Sequence, residues 1–348
     1  MNRRRFLQTT LAGAAVLGLS RCDEGPLPRW RGFNLLEKFT DRQNAPFVED
    51  DFRMMADWGF NFARLPLSYW CWSTPQDPFE MDHAVIDEID QAVEYGQKYG
   101  VHVNLNLHRA PGYCVNPPAE PLDLWTDTLA QDAFAYQWTF FADRYRGLSN
   151  HTVSFDLLNE PAHVDEPTYA RVMRRVIDAI RSIDPDRLIV VDGLRWGRDP
   201  VPSLADTGVW QSTRGYDPML ISHYRAGWVG RDTWPEVALL QWPYTEGDQT
   251  YDRAWLRDEI IGPWQPLVEQ GVTVHVGEWG AFRHTPHDVA LAWMRDFLEL
   301  WQERGWGWAL WNFRGAFGLL DSGRGDVAYE AFHGHELDRA MLELLQAY

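Results

Sequence analysis

Eight short apolar runs alternate with amphipathic helical patterns along most of this chain, and that alternation restricts the possible folds more than any other feature. The runs are RGFNLL (31–36), FNFARLPL (60–67), VHVNLNLH (101–108), VSFDLLNE (153–160), RLIVVDG (187–193), MLISHY (219–224), VTVHVGEW (272–279) and GWALWNF (307–313). Short runs of this kind read as strands covered on both faces. Between them, Val85, Ile89, Ala92, Val93 and Gly96 fall on one helical face, and residues 128–146, 166–182, 254–269, 287–304 and 336–347 read likewise. Gly59, Gly100, Gly271 and Gly305 stand just before strands, where glycine accepts the left-handed turn that closes a helix. Strands alternating with helices pair in parallel through right-handed crossovers. Eight such units in 348 residues predict a single-domain α/β fold, the (β/α)8 TIM barrel, with a doubly wound open sheet as the alternative. Residues 193–219 have little helical character, so the crossover before the sixth run is the least regular.

The first 22 residues stand apart. MNRRRFLQTTLAGAAVLGLSRC joins a basic start to an apolar run, Leu11 to Leu19, too short to span a bilayer. RRRFLQ resembles a twin-arginine export signal, with Arg3, Arg4, Phe6 and Leu7 in register. The expected division is an export signal over 1–22 and one folded domain over 23–348, placed in the periplasm or outside the cell. Cys22 suggests a lipid anchor, but Arg21 occupies a position where lipoprotein signals carry a small residue. No other segment reads as a membrane span.

Charge narrows the partners. The net charge is −18, and the first 21 residues hold four Arg and no acid, so the rest is more acidic still. Such a body repels phosphate backbones, and no basic stripe offsets it, which argues against a nucleic-acid partner. Nineteen Trp suit a groove with flat stacking platforms as well as a core. There is no HExxH, P-loop or clustered Cys/His spacing, so no metal or cofactor is expected.

Barrel enzymes build their sites where strands end and βα loops begin. The residues at those ends are Glu37, Arg64, His108, Asn159 with Glu160, Asp192, His223 with Tyr224, Glu278, and Trp311 with Asn312. Glu160 ends the fourth run and Glu278 the seventh, and across a small barrel such tips face each other over a cleft. Paired carboxylates are what glycosidic-bond cleavage needs: one protonated to help the leaving oxygen, one ionised to meet the developing positive charge. A charged Glu278 nearby makes Glu160 harder to ionise, so the Glu160 pKa is expected to rise.

LLNEPA, VGEWGAF, RLPL, LHRAPGY and the Trp of ALWNF resemble glycoside hydrolase family 5, from about Arg31 to the C-terminus. The resemblance implies retaining hydrolysis of a β-linked sugar by the domain 23–348. Carried over residue by residue, Glu160 is the acid/base and Glu278 the nucleophile. Asn159 binds the sugar 2-hydroxyl, Arg64 holds the nucleophile ionised, His108 lines the subsite of the cleaved sugar and Trp311 stacks beneath it. One departure stands out: the family usually shows His-x-Tyr at the end of strand six, whereas ISHYRAGW puts His223 and Tyr224 side by side. Adjacent strand residues face opposite ways, so either Tyr224 or His223 would touch Glu278.

The expected substrate is a β-glucan, as a polysaccharide or oligosaccharide. A β-mannan or a small β-glucoside is the alternative, and a silent polysaccharide-binding barrel the reading from another class. The protein is expected to act as a monomer. Trp70, Trp72, Trp228 and Trp234, in the loops after runs two and six, are expected to include sugar platforms, and Glu37 to face the cleft. Cys71 and Cys114 follow neighbouring strand ends at similar heights, and an oxidising compartment would allow them a disulfide.

Overall fold

The computed structural model describes residues 25–348 apart from Asp232; the export-like segment and Cys22 lie outside the described residues. Eight parallel strands close into a barrel. They are β1 (Arg31–Asn34), β2 (Phe62–Ser68), β3 (His102–Ala110), β4 (Val153–Asp156), β5 (Ile189–Asp192), β6 (Trp210–Gly215), β7 (Val274–Trp279) and β8 (Gly307–Leu310). The order runs β2-β1-β8-β7-β6-β5-β4-β3, and a β2–β3 pairing closes the ring, which excludes the open sheet. Among the described residues no helix is long and apolar enough to cross a membrane.

Four helices start on capping aspartates. α1 (His83–Tyr99), α2 (Thr128–Arg144), α3 (Glu166–Ile183) and α4 (Arg339–Ala347) begin after Asp82, Asp127, Asp165 and Asp338, whose carboxylates accept first-turn N–H groups. α1 ends on Gly100, whose φ of 70° an L side chain would resist. Apolar helix faces such as Ile86, Ile89 and Val93 pack against the outer faces of the strands in one continuous core.

The barrel interior is polar instead. Arg64, Asn104, Ser154, Asp156, Ser212 and His275 line it, above an aromatic floor of Trp30 and Phe62. His102 stacks on Trp30 at 3.8 Å and its Nε2 meets Ser154 Oγ at 2.7 Å. Burial lowers the pKa of His102 and His275 to about 3, so both are neutral packing groups.

Strand six differs from expectation. The apolar run MLISHY is not a strand; Met219–Ser222 forms one helical turn after Pro218. The strand lies earlier, in WQSTRG, where the buried side chains are polar and find hydrogen bonds. Gln211 exchanges two bonds with the Val201 backbone, and Thr213 donates to Gly197 O. A strand whose burial is satisfied by hydrogen bonds carries no apolar signal.

Candidate active site

Two buried guanidiniums organise the upper end of the barrel. Arg64, on β2, donates through Nε to Asp156 Oδ2 at 2.9 Å and through Nη1 to Glu278 Oε1 at 2.7 Å and Asn34 Oδ1 at 3.0 Å. Its Nη2 reaches Asn159 Oδ1 at 2.9 Å. Arg214, on β6, donates through Nε to Glu160 Oε1 at 3.0 Å and through Nη2 to the same Asn159 oxygen at 2.9 Å. With its oxygen held from both sides, Asn159 turns its NH2 towards His108, 3.4 Å from Nε2.

Glu160 follows β4 with a left-handed φ of 49°. For a residue with a Cβ that conformation costs on the order of 1–3 kcal/mol and persists only where neighbours enforce it. Here Asp192 Oδ2 accepts the Glu160 N–H at 2.8 Å, and the Tyr113 hydroxyl donates to the Glu160 carbonyl at 2.7 Å. Glu278 stands on β7 where the register against β6 shifts, pairing it with Arg214. The Tyr216 hydroxyl donates to Glu278 Oε2 at 3.2 Å, and His108 Nδ1 lies 4.0 Å from Oε1. Gly277 makes this crowding possible: a Cβ there would come within 2.9 Å of Arg214 Nη1.

Four carboxyl groups, Asp156, Glu160, Asp192 and Glu278, thus share two guanidiniums. Two cations balance two anions, so protons are favoured on the remainder. Burial, and then Glu278, pushes the Glu160 pKa up to about 7 against the pull of Arg214. Burial, and then Asp192, does the same to Asp156. Burial, and then Arg64, drives His108 well below its usual range, so it is neutral. Its Nε2 faces the amide groups of Asn116 and Asn159, which assigns the proton to Nδ1, an atom with no hydrogen-bond partner among the described residues. Trp311 stacks on the His108 ring at 5.7 Å.

The glycosyl hydrolase family 5 (cellulase) model matches residues 23–316. The chain belongs to glycosyl hydrolase family 5. It is a glycoside hydrolase built on the TIM barrel. Endoglucanase C of Acetivibrio thermocellus is 24% identical over 290 residues, covering 77% of this chain and 84% of that one. A solved glycoside hydrolase structure is 39% identical, with a TM-score of 0.87 over 92% of this chain and 99% of that one. Cel5A of Thermotoga maritima, solved with mannotriose, is 20% identical with a TM-score of 0.72 over 91% and 97% of the two chains, a likeness of fold.

Within this family 5 hydrolase the structure gathers Arg64, His108, Asn159, Glu160, Glu278 and Trp311 at one end of the barrel. It removes His223 and Tyr224 from Glu278. The Tyr224 hydroxyl donates to Pro235 O, its ring packs on Trp234, and His223 bonds Ser222 Oγ. The tyrosine on Glu278 is Tyr216, two residues after Arg214. Sequence reading missed both residues because it placed strand six too late. The Arg-x-Tyr spacing in STRGY was the available signal.

Glu37 pairs with Arg314 at 2.7 Å and lines a groove of about 530 Å³. Trp72 and the two cysteines depart from expectation. Trp72 is a core residue whose Nε1 donates to Gln137 Oε1 at 2.8 Å. Trp70 lies under the Arg109 guanidinium at 4.1 Å, and Trp234 packs between Tyr224 and Arg231. Trp228 alone of the four stands open, 64% exposed. Among the described residues Cys71 and Cys114 are free, with no bridge between them. The Cys71 thiol points to Lys38 O and Thr40 O in the β1 loop, whereas the Cys114 thiol turns back on His108 O, so equal height does not align them.

Proposed function

We propose that this enzyme hydrolyses a β-linked glucan with net retention, Glu160 acting as acid/base and Glu278 as nucleophile. The observation that carries the reading is the unequal setting of the two carboxyls. Glu278 receives Arg64 on one oxygen and Tyr216 on the other, an arrangement suited to a carboxylate. Glu160 receives Arg214 on Oε1, and among the described residues nothing donates to Oε2, which suits a proton carried there. In the first step a Glu278 oxygen attacks the anomeric carbon while Glu160 gives its proton to the departing oxygen. In the second, Glu160 takes a proton from water, which attacks the same carbon and releases Glu278. The Asn159 amide, the Nδ1–H of neutral His108 and the face of Trp311 would hold the reacting sugar. Endoglucanase C supports a glucan as the substrate by its name. RRRFLQ and the apolar run after it support export before action.

A panel of β-glucans and β-mannan, with product analysis, tests this. Reducing ends should appear from a β-glucan, and kcat/KM should fall as pH rises past about 7, where Glu160 loses the proton it must donate. Release from mannan alone would move the substrate; release from none would make the barrel a binding module.

Trp228 supports a stacking platform. Its ring meets Phe282 edge-on at 4.9 Å and His223 at 6.1 Å, and His223 in turn touches Tyr216. Trp228→Ala should raise KM for long oligosaccharides several-fold, in line with about 1 kcal/mol of aromatic contact. A short aryl glycoside should be unaffected, and equal losses on both would remove the platform.

A further inference from the structure

We infer that Asp192 and Arg214 form a clamp that positions Glu160 as proton donor, one residue gripping its backbone and the other its carboxyl. The inference rests on the reading of Glu160 as acid/base. A closed ring of contacts carries it. The Glu160 N–H donates to Asp192 Oδ2 at 2.8 Å. Arg214 binds both Asp192 oxygens, Nη1 to Oδ1 at 3.1 Å and Nη2 to Oδ2. Arg214 Nε then returns to Glu160 Oε1 at 3.0 Å. The ring is anchored from outside, since the Tyr169 hydroxyl donates to Asp192 O at 2.8 Å and Ser212 Oγ accepts from Arg214 Nη1 at 3.0 Å.

Two features of Glu160 need such a clamp. Its φ of 49° must be imposed, and the Asp192 carboxylate on its N–H does so on the side opposite Tyr113. Its carboxyl must also present one defined oxygen. Nε occupies Oε1, so the proton sits on Oε2. A histidine at position 214 could not do both jobs. It has two ring nitrogens and no permanent charge, whereas guanidinium offers five N–H groups in a fixed fork. The fork spans Asp192, Glu160 and Asn159 at once.

The clamp also sets the field at Glu160. The groups facing it are Arg214 from β6, Asp192 from β5, Glu278 from β7, Tyr216 after β6, and Tyr113 and Cys114 after β3. Arg214 is the cation among them. Removing its charge should make Glu160 hold its proton to higher pH; removing the Asp192 charge should do the reverse.

The test is the alkaline limb of kcat/KM on an aryl glycoside with a poor leaving phenol. Arg214→Met should move the limb up by about one unit, and Asp192→Asn should move it down. A role confined to holding the fold would lower kcat/KM at every pH and leave the limb in place. A limb that stays put in either folded variant overturns the clamp. Should Arg214→Met fail to fold, the nearly isosteric Asp192→Asn decides alone, and an unmoved or raised limb refutes the proposal. A dinitrophenyl glycoside, whose leaving group needs no proton, separates the two ideas. If the unmodified enzyme shows the same limb on both substrates, the acid/base reading fails. If that limb is confined to the poor leaving group but neither variant shifts it, only the clamp fails.

Discussion

Glu278→Ala is expected to lose essentially all turnover on every substrate, and azide is expected to restore part of it with inverted product. Without that carboxylate no glycosyl-enzyme can form. A small anion can occupy the vacated space beside Arg64 and attack the anomeric carbon directly, giving the α-glycosyl azide by a single displacement. Glu160→Ala should behave differently. Loss of the proton donor should cost about 10²- to 10⁴-fold on a poor leaving group. A good phenolate needs no proton, so glycosylation should survive and the covalent intermediate should wait for a base. Azide needs none, and a second displacement gives the β-glycosyl azide. The anomeric configuration of the azide, read by NMR, therefore assigns each residue. The α-azide from the Glu160 variant and the β-azide from the Glu278 variant would exchange the roles. Both proteins should remain folded, because each removes one of four carboxyls that crowd two guanidiniums.

Arg64→Met should do the opposite to the fold. It removes one of the two cations and leaves Asp156 and Glu278 buried without their closest partner. Breaking a buried ion pair from one side typically costs about 3–5 kcal/mol. Denaturant unfolding at neutral pH should show a loss of that size. The loss should shrink as pH falls. Asp156 already holds its proton to about pH 7 in the folded chain, above the range of an unfolded Asp, and without Arg64 it should hold it higher still. A carboxyl whose folded pKa exceeds its unfolded one disfavours the fold as pH rises through the window between them. Both proteins gain stability as pH falls from 7 towards 4, so the Asp156 part of the difference between them should close as pH falls to about 7 from above. A loss under about 1 kcal/mol, or one independent of pH, would show that Arg64 does not balance these charges.

The chain itself determined the barrel, because alternating burial leaves a periodic trace. Strands such as VHVNLNLH and VTVHVGEW must be covered on their outer faces, and the helices that cover them carry complementary apolar faces. Asn159, Glu160, Glu278, Arg64 and His108 were legible for the same reason: each sits in or at the end of such a strand. β6 left no trace of that kind. Gln211, Thr213 and Arg214 are buried with hydrogen bonds in place of apolar contacts, so Arg214 and Tyr216 were hidden while Ile221 and Tyr224 drew attention. The fates of Trp72, Tyr224 and the two cysteines depended on side-chain direction. Spacing along a loop gives height above the barrel but not the direction of the Cα–Cβ bond. Only the packed structure decides whether a ring enters the core or a thiol turns to its own strand. The direction of the Glu160 shift was legible in its pairing with Glu278, but its size belongs there too. It depends on how many carboxyls share how many guanidiniums within one cluster, a quantity that comes into being when β2, β4, β5, β6 and β7 meet.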